Sequence, residues 1–253
     1  MTIEACAAMV ERGDPDRFRV AMAAPPPARE MLFPLYAFNL EVARAPWVTR
    51  EPMLAEMRLQ WWRDVIENSA AGQTSPAHEV AGPLGTLVRE GRLDAATLDA
   101  LVETRRRDIE VEPFEPQDLR SYLLGTAGNL LWASAAALGE GPDRREAVFG
   151  AGFASGLSSW LQALPELASR GRGLVDDSPA ALRALAEEGL SALAKARDVK
   201  FGPGIPAMRA ASLARPVLEA ARRDPAAVLE GRLVPAEAAK RMRLLWAALR
   251  GTW

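Results

Sequence analysis

The sequence is poor in the residues that form disulfides or bind metals through sulfur and nitrogen. Its 253 residues include one cysteine, Cys6, and one histidine, His78. A single cysteine cannot form an internal disulfide, and this pair cannot supply the ligands of a usual zinc site. A reducing compartment therefore fits best. Because His78 lies in segment 69–85, which is rich in glycine, proline and small residues, we expect a solvated loop histidine and not a catalytic base.

Long apolar runs are missing as well. The longest, Leu130–Leu138, is about half of the roughly 18 residues that a membrane-spanning helix requires. The N-terminal segment contains Glu4 and Glu11 and no apolar core, so it predicts neither a secretory signal nor a transit peptide. We therefore expect the mature chain to begin at its first residue. We expect a cytoplasmic protein without a transmembrane segment, and we leave open a peripheral contact with the inner membrane.

Neither sign of charge is in excess. The 31 lysines and arginines nearly balance the 33 aspartates and glutamates, so that the net charge is -2. Such a chain has no global basic field for nucleic acid, and we expect no nucleic acid as a partner. Lysine is confined to Lys195, Lys200 and Lys240, whereas arginine and alanine abound, a composition typical of a GC-rich bacterial genome.

Apolar residues recur at helical spacing along almost the whole chain, and no alternating run is long enough for a strand. The sequence therefore predicts an all-α protein of eight to ten helices. No repeat or linker divides it, so we expect a single domain over residues 1–253. Helix starts are predicted at Asp14-Pro15, Ala28, Glu51-Pro52, Asp94, Glu115-Pro116, Asp143–Glu146, Ser178-Pro179, Pro206 and Pro235, with a break at Gly202–Gly204.

The helix that begins after Glu51 carries two adjacent apolar stripes. Two stripes on one helix predict that it is buried between neighbours on most sides. The first stripe contains Leu54, Met57, Trp61 and Val65, and the second contains Leu59, Trp62 and Ile66.

Two short motifs have a structural and a functional interpretation. The glycines of Gly150–Gly156 resemble a dinucleotide-binding loop, but such a loop follows a strand, and here a helix precedes it. We therefore expect small residues that let another helix approach closely. The run Arg105–Arg107 is of a type that can meet phosphates, yet a charge run at a helix end usually faces water and complements the helix dipole, and that is our prediction.

Five segments form a collective pattern, and each is weak when taken alone. They are Pro34–Asn39, Leu59–Arg63, Asp118–Tyr122, Thr126–Gly128 and Gly171-Arg172. In this order and at roughly this spacing they resemble the squalene/phytoene synthase family, over most of the chain from about Asp14. The resemblance implies the isoprenoid synthase fold, an all-α bundle around a central apolar cavity, which Leu130 and Leu131 are expected to narrow.

The enzymes of this family condense two prenyl diphosphates and hold Mg²⁺ between two aspartate-rich motifs on facing helices, because Mg²⁺ requires hard oxygen ligands. At the matching positions this sequence has Ala43, Arg44 and Trp47 in the first motif, and Ala163 and Leu167 in the second. The resemblance therefore implies a pseudoenzyme with no metal, no cofactor and no catalytic residue.

Two matches, Asn39 within Leu35–Asn39 and Gln60 within Met57–Trp62, resemble a non-enzymatic branch of the family. This branch is related to a mitochondrial complex I assembly factor with a phytoene-synthase-like domain. The match implies a binding or assembly factor with a protein client in respiratory complex assembly.

Two alternatives stay open. One is a prenyl transferase that uses Glu41 and Glu166 as atypical metal ligands, and the other is a carrier that binds an isoprenoid or other lipid without turnover. The residues expected to line the cavity at the degenerate motifs are Phe38, Asn39, Glu41, Arg44, Ser159, Gln162, Glu166 and Arg172.

Overall fold

The computed structural model describes residues 3–49 and 51–253. Over these residues the chain is helical and has no strand, only an isolated bridge between Phe114 and Leu174, so the predicted all-α class is confirmed. None of the described helices is long and apolar enough to cross a membrane. The α-helices are α1 (Ile3–Gly13), α2 (Pro15–Met22), α3 (Pro26–Arg44), α4 (Pro52–Ala70), α5 (Ala81–Arg89), α6 (Ala95–Thr104), α7 (Pro116–Leu123), α8 (Asn129–Ala137), α9 (Arg145–Ser169), α10 (Pro179–Arg197), α11 (Ile205–Met208), α12 (Ala214–Arg223), α13 (Ala226–Leu229) and α14 (Glu237–Leu249).

Helix α9 is the centre of the bundle. It packs against α8, α10 and α12, and against a π-helical turn at Leu124–Gly128 that joins α7 to α8. A Cβ atom on Gly152 would lie 2.8 Å from the Cα of Gly128, so only glycine permits this approach. The helix-packing interpretation of Gly150–Gly156 is therefore confirmed.

Local capping sets several helix starts as predicted. The side chains of Asp14, Asp94 and Ser178 accept hydrogen bonds from the backbone N–H groups three residues ahead, at the starts of α2, α6 and α10. The predicted capping box at Asp143–Glu146 is wrong, because α9 begins without a side-chain cap. A 3₁₀ turn at Pro142–Arg144 places Asp143 inside the turn instead of at the cap.

The predicted loop at 69–85 is shorter than expected, since α4 continues to Ala70 and α5 begins at Ala81. His78 is half-buried rather than solvated. Its Nδ1 accepts hydrogen bonds from the N–H groups of Val80 and Ala81 at 3.2 and 3.3 Å, and its ring lies 5.2 Å from that of Trp61. The histidine accepts from N–H groups at the start of α5 and packs on α4, which corrects the expectation of a solvated loop histidine.

The two apolar stripes of α4 differ in environment. Leu59, Trp62 and Ile66 are fully buried, but Leu54 and Met57 are 41% and 61% exposed. Helix α4 packs against α3, α5, α6 and the 3₁₀ turn after α6, but Leu54 and Met57 stay exposed, so the expectation of burial on most sides is wrong for the first stripe near the start of the helix.

The predicted count of eight to ten helices is also too low. Short helices such as α11 and α13 have four residues each, too few to carry a periodic pattern. The segment after Pro206, for which one helix start is predicted, forms the two helices α11 and α12, and Pro216 lies in the first turn of α12, where its missing N–H removes no bond.

Candidate functional site: an arginine-lined cavity

A cavity of about 260 Å³ opens between α3, the π-helical turn and α9. We call it the arginine cavity, because four of its lining residues are Arg17, Arg105, Arg107 and Arg172. Its apolar wall consists of Trp47, Phe114, Leu123, Leu130, Trp160 and Leu167.

The first cation of the cavity, Arg105, belongs to a buried hydrogen-bonded triad. Its guanidinium donates to Asp108 at 3.1 Å and to the hydroxyl of Tyr122 at 2.6 Å, and that hydroxyl donates to Asp108 at 3.0 Å. Burial raises the pKa of Tyr122 despite the nearby guanidinium. The triad fixes one charged wall of the cavity and keeps the tyrosine neutral.

The other two arginines of that run are ordered as well. Arg107 lies 4.6 Å from the ring centre of Phe114 and pairs with Glu110 at 3.0 Å, while Arg106 pairs with Glu56 at 2.8 Å. The predicted solvated charge run is therefore wrong. A 3₁₀ turn after α6 directs these side chains towards α4, α7 and the cavity rather than into solvent.

Arg172 forms the mouth of the cavity with Trp47. Gly171 has φ +73 and ends α9 in the left-handed region that favours glycine. The chain turns there, and the guanidinium of Arg172 lies 4.6 Å from the ring centre of Trp47, with that of Arg170 at 5.3 Å. The buried Nε atoms of Arg172 and Arg105, two residues that line the cavity, have no hydrogen-bond partner.

The centre of the bundle behind the cavity is filled. Between Tyr36, Leu131 and Ser134 only about 10 Å³ remains free, which is at the limit for one water molecule. Leu130 lines both this void and the arginine cavity and lies between them. Burial raises the pKa of Tyr36 to about 12.

The positions that match the aspartate-rich motifs provide no ligand set for Mg²⁺. Ala43, Ala163 and Leu167 have no donor atom, and the exposed Arg44 lies over Gly13. Among the described residues, no group of three histidine, cysteine, aspartate or glutamate side chains is arranged to hold a metal. The residues present therefore do not fit the metal that the family enzymes use.

The residues singled out from the sequence separate into two groups. Asn39, Ser159 and Arg172 line the arginine cavity. The others lie elsewhere: Phe38 is in the core against Trp62, Glu41 is half-buried on α3, Arg44 is exposed, Gln162 lines a neighbouring groove, and Glu166 is exposed and bonded to Arg170.

Sequence reasoning missed most of the cations of this cavity. Arg105 and Asp108 are three residues apart, a spacing that pairs opposite charges on a helical turn. This spacing could have predicted that Arg105 is held in place and not solvated. Arg17 had a weaker one, because it follows the capping residue Asp14, with which it forms an ion pair.

Comparison with known proteins now decides the family. Residues 10–175 match the family model described as squalene/phytoene synthase. The chain belongs to the squalene/phytoene synthase family. Its described helices agree with that family's fold, and the arginine cavity lies between α3 and α9, which carry most of the segments that resemble the family's two aspartate-rich motifs.

Similar curated proteins of the family are complex I assembly factors. The bovine NADH dehydrogenase (ubiquinone) complex I assembly factor 6 is 24% identical over 198 residues, which cover 77% of this chain and 59% of the relative. The human protein of that name is 26% identical over 168 residues, with 65% and 50% coverage. The chain thus spans little more than half the length of these relatives.

Solved structures with the same fold are family enzymes. A dehydrosqualene synthase crystallised with a ligand superposes with a TM-score of 0.81 at 14% identity, covering 98% of this chain and 96% of that one. The squalene synthase HpnC from Alicyclobacillus acidocaldarius gives a TM-score of 0.63 at 16% identity, with 98% and 94% coverage. At such identities the likeness shows the fold alone, which is the isoprenoid synthase fold.

Proposed function

We propose that this member of the squalene/phytoene synthase family acts by binding and not by Mg²⁺-dependent prenyl transfer, as an assembly factor for respiratory complex I. The observation that carries the proposal is the contact of Trp47 with Arg170 and Arg172. The resemblance to the family implies that Trp47 stands at an aspartate position of the first motif and that the two arginines follow the second. On that correspondence, an aromatic ring and two cations pack together where the resemblance implies that the enzymes hold metal.

The arginines at the mouth of the cavity repel the Mg²⁺ ion on which the family enzymes depend. A divalent metal that entered the mouth would meet the guanidinium of Arg172, for which no ion pair with a described carboxylate exists. At a separation of about 4 Å two unit charges repel by about 4 kcal/mol in a partly screened protein site, and a divalent ion experiences more. Asp108, Glu110 and Glu112 also line the cavity, but Asp108 and Glu110 are paired with two arginines of the cavity, and the unpaired guanidinium of Arg172 at the mouth disfavours Mg²⁺.

The transferase alternative has little support in the geometry. Glu166 is exposed and bonded to Arg170 at 2.8 Å, and Glu41 does not line the arginine cavity. In a prenyl transfer the negative charge of the leaving diphosphate must be neutralised, usually by Mg²⁺, as the carbon–oxygen bond breaks. Glu41 and Glu166 are not arranged to hold that Mg²⁺ ion.

The carrier alternative needs room for a chain. The void between Tyr36, Leu131 and Ser134 is about 10 Å³, which does not admit a prenyl chain unless Leu130 or Leu131 moves, and the arginine cavity of about 260 Å³ is lined by charged as well as apolar side chains. A protein client is therefore the favoured partner, and the names of the bovine and human relatives support the same choice. The cytoplasm as compartment and a single domain remain part of this proposal.

The proposal is tested by gene deletion in the source organism. Loss of the chain should lower the amount of assembled NADH dehydrogenase on native gels and leave squalene, hopanoids and carotenoids unchanged. Glu41→Gln, which preserves shape and removes a candidate metal ligand, should rescue the deletion as well as the parent chain does. Loss of isoprenoid products with normal NADH dehydrogenase would refute the proposal.

A further inference from the structure

Helix α14 exposes an apolar stripe. Met242, Leu245, Trp246 and Leu249 are 56%, 53%, 52% and 72% exposed. Their spacing of three, four and seven residues places them on one face of the helix, and no described residue covers that face. The helix lies outside the segment 10–175 that matches the family model, so the match does not account for this stripe.

The opposite face fixes the helix on the bundle. Lys240 donates to Asp16 at 2.9 Å and pairs with Glu237 at 2.8 Å, while Ala247 is buried. Beyond the helix, the guanidinium of Arg209 donates to the carbonyl of Thr252 at 3.0 Å. Because both ends are held in this way, the apolar stripe points away from the bundle.

Arginines flank the stripe on both sides. Arg241, Arg243 and Arg250 are exposed, and none of them forms an ion pair with a described residue. At about 100° per residue, Arg241 lies on one side of the stripe and Arg243 and Arg250 lie on the other. The guanidinium of Arg250 is 4.7 Å from the ring centre of Trp246. The basic surface continues to Arg197, whose pKa is lowered by burial and by its neighbours Arg215 and Arg243.

We propose that α14 is a membrane-surface helix that binds bilayers containing anionic lipids. A helix with leucine and tryptophan on one face and arginine at its borders lies in the plane of the interface, with its apolar face in the acyl boundary and its cations at the phosphates. The charge pattern selects this occupant, because unpaired cations on both borders complement a uniformly negative surface. The inference is independent of the proposed role in assembly.

A second exposed apolar surface supplies the matched control. Met53 and Met57 on α4 are 75% and 61% exposed, but their neighbours Glu51, Glu56 and Arg58 carry both signs of charge. Both surfaces therefore expose apolar side chains, and they differ in the charges around them. We expect the α4 surface to contribute nothing to binding of anionic bilayers.

The test is co-sedimentation of the full chain with vesicles of phosphatidylcholine alone and of phosphatidylcholine with phosphatidylglycerol at about 7:3. The chain should bind the mixed vesicles and not the neutral ones. Leu245→Ser with Leu249→Ser should weaken binding by about 10-fold or more, whereas Met53→Ser with Met57→Ser should leave it unchanged. Because all four side chains are exposed, both variants should keep the parent circular dichroism and melting temperature.

A second arm tests the charges and the depth of insertion. Arg241→Gln with Arg243→Gln should weaken binding to mixed vesicles by about 30-fold, from about fivefold per arginine. Trp246→Phe should abolish a blue shift of tryptophan emission that mixed vesicles induce in the parent chain. Equal binding to neutral vesicles, or equal losses in the α4 and α14 variants, would overturn the proposal. A dimer in sedimentation velocity that the two α14 serines abolish, without vesicle binding, would overturn it in favour of a second copy.

Discussion

Replacement of Trp62 by alanine should destabilise the fold strongly, because this large ring is buried where α4 contacts α3. It is 3% exposed, and its centre lies 5.2 Å from that of Phe38, 4.8 Å from Trp61 and 5.5 Å from His78. Truncation of a buried aromatic costs roughly 3–5 kcal/mol, lost ring contacts included. At about 2–4 °C per kcal/mol in a chain of this size, that corresponds to a melting temperature lower by roughly 6–20 °C.

The matched control is Trp246→Ala. This tryptophan is 52% exposed on α14, so the same truncation should change stability by less than about 0.5 kcal/mol and the melting temperature by less than about 2 °C. Thermal unfolding followed by circular dichroism, with urea titration as a check on the free energy, measures both variants. Equal losses in the two variants, or an unchanged melting temperature for Trp62→Ala, would refute the packing described for α3 and α4.

Three further results are expected. Gly152→Ala should cost roughly 1–3 kcal/mol, since its Cβ would lie 2.8 Å from the Cα of Gly128, whereas Gly150→Ala, 3.4 Å from the nearest carbonyl oxygen, should be neutral or stabilising by urea unfolding. Burial raises the pKa of both Tyr36 and Tyr122, so phenolate absorbance should stay absent near pH 10 while the chain is folded. The folded state keeps these two protons to a higher pH than the unfolded state does, so the free energy of unfolding should fall as pH rises above about 10. Titration of these tyrosines near pH 10 in the folded chain would contradict their burial. Burial raises the pKa of Cys6 to about 11, so a thiol reagent should react slowly with the native chain at neutral pH and quickly in denaturant.

Local signals in the sequence predict where several helices begin. Asp94 and Ser178 cap their helices through bonds within three residues, and proline next to the cap contributes a fixed backbone angle at Pro15, Pro52 and Pro179. These interactions depend on neighbours in the chain, which is why they can be predicted. The same holds for Gly150–Gly156, whose small residues predict close helix packing.

The positions of His78 and of the cavity arginines depend on contacts between distant segments, and the sequence therefore could not predict them. His78 is ordered by the rings of Trp61 and Trp62, and a glycine-rich segment gives no sign of them. Arg105 enters the cavity because Tyr122, from another helix, accepts its hydrogen bond. The convergence of Trp47 and Leu167, two of the degenerate motif positions, at one cavity likewise depends on the tertiary fold, which the family resemblance implied and periodicity alone did not.

The account depends most directly on whether the chain catalyses a Mg²⁺-dependent reaction of prenyl diphosphates. Purified protein should be incubated with Mg²⁺ and farnesyl or geranylgeranyl diphosphate, and release of pyrophosphate should be measured. Because Ala43, Ala163 and Leu167 provide no metal ligand and Arg172 occupies the mouth of the cavity, we predict no release above background. Release that Glu166→Ala abolishes in a correctly folded variant would contradict the account and establish a prenyl transferase.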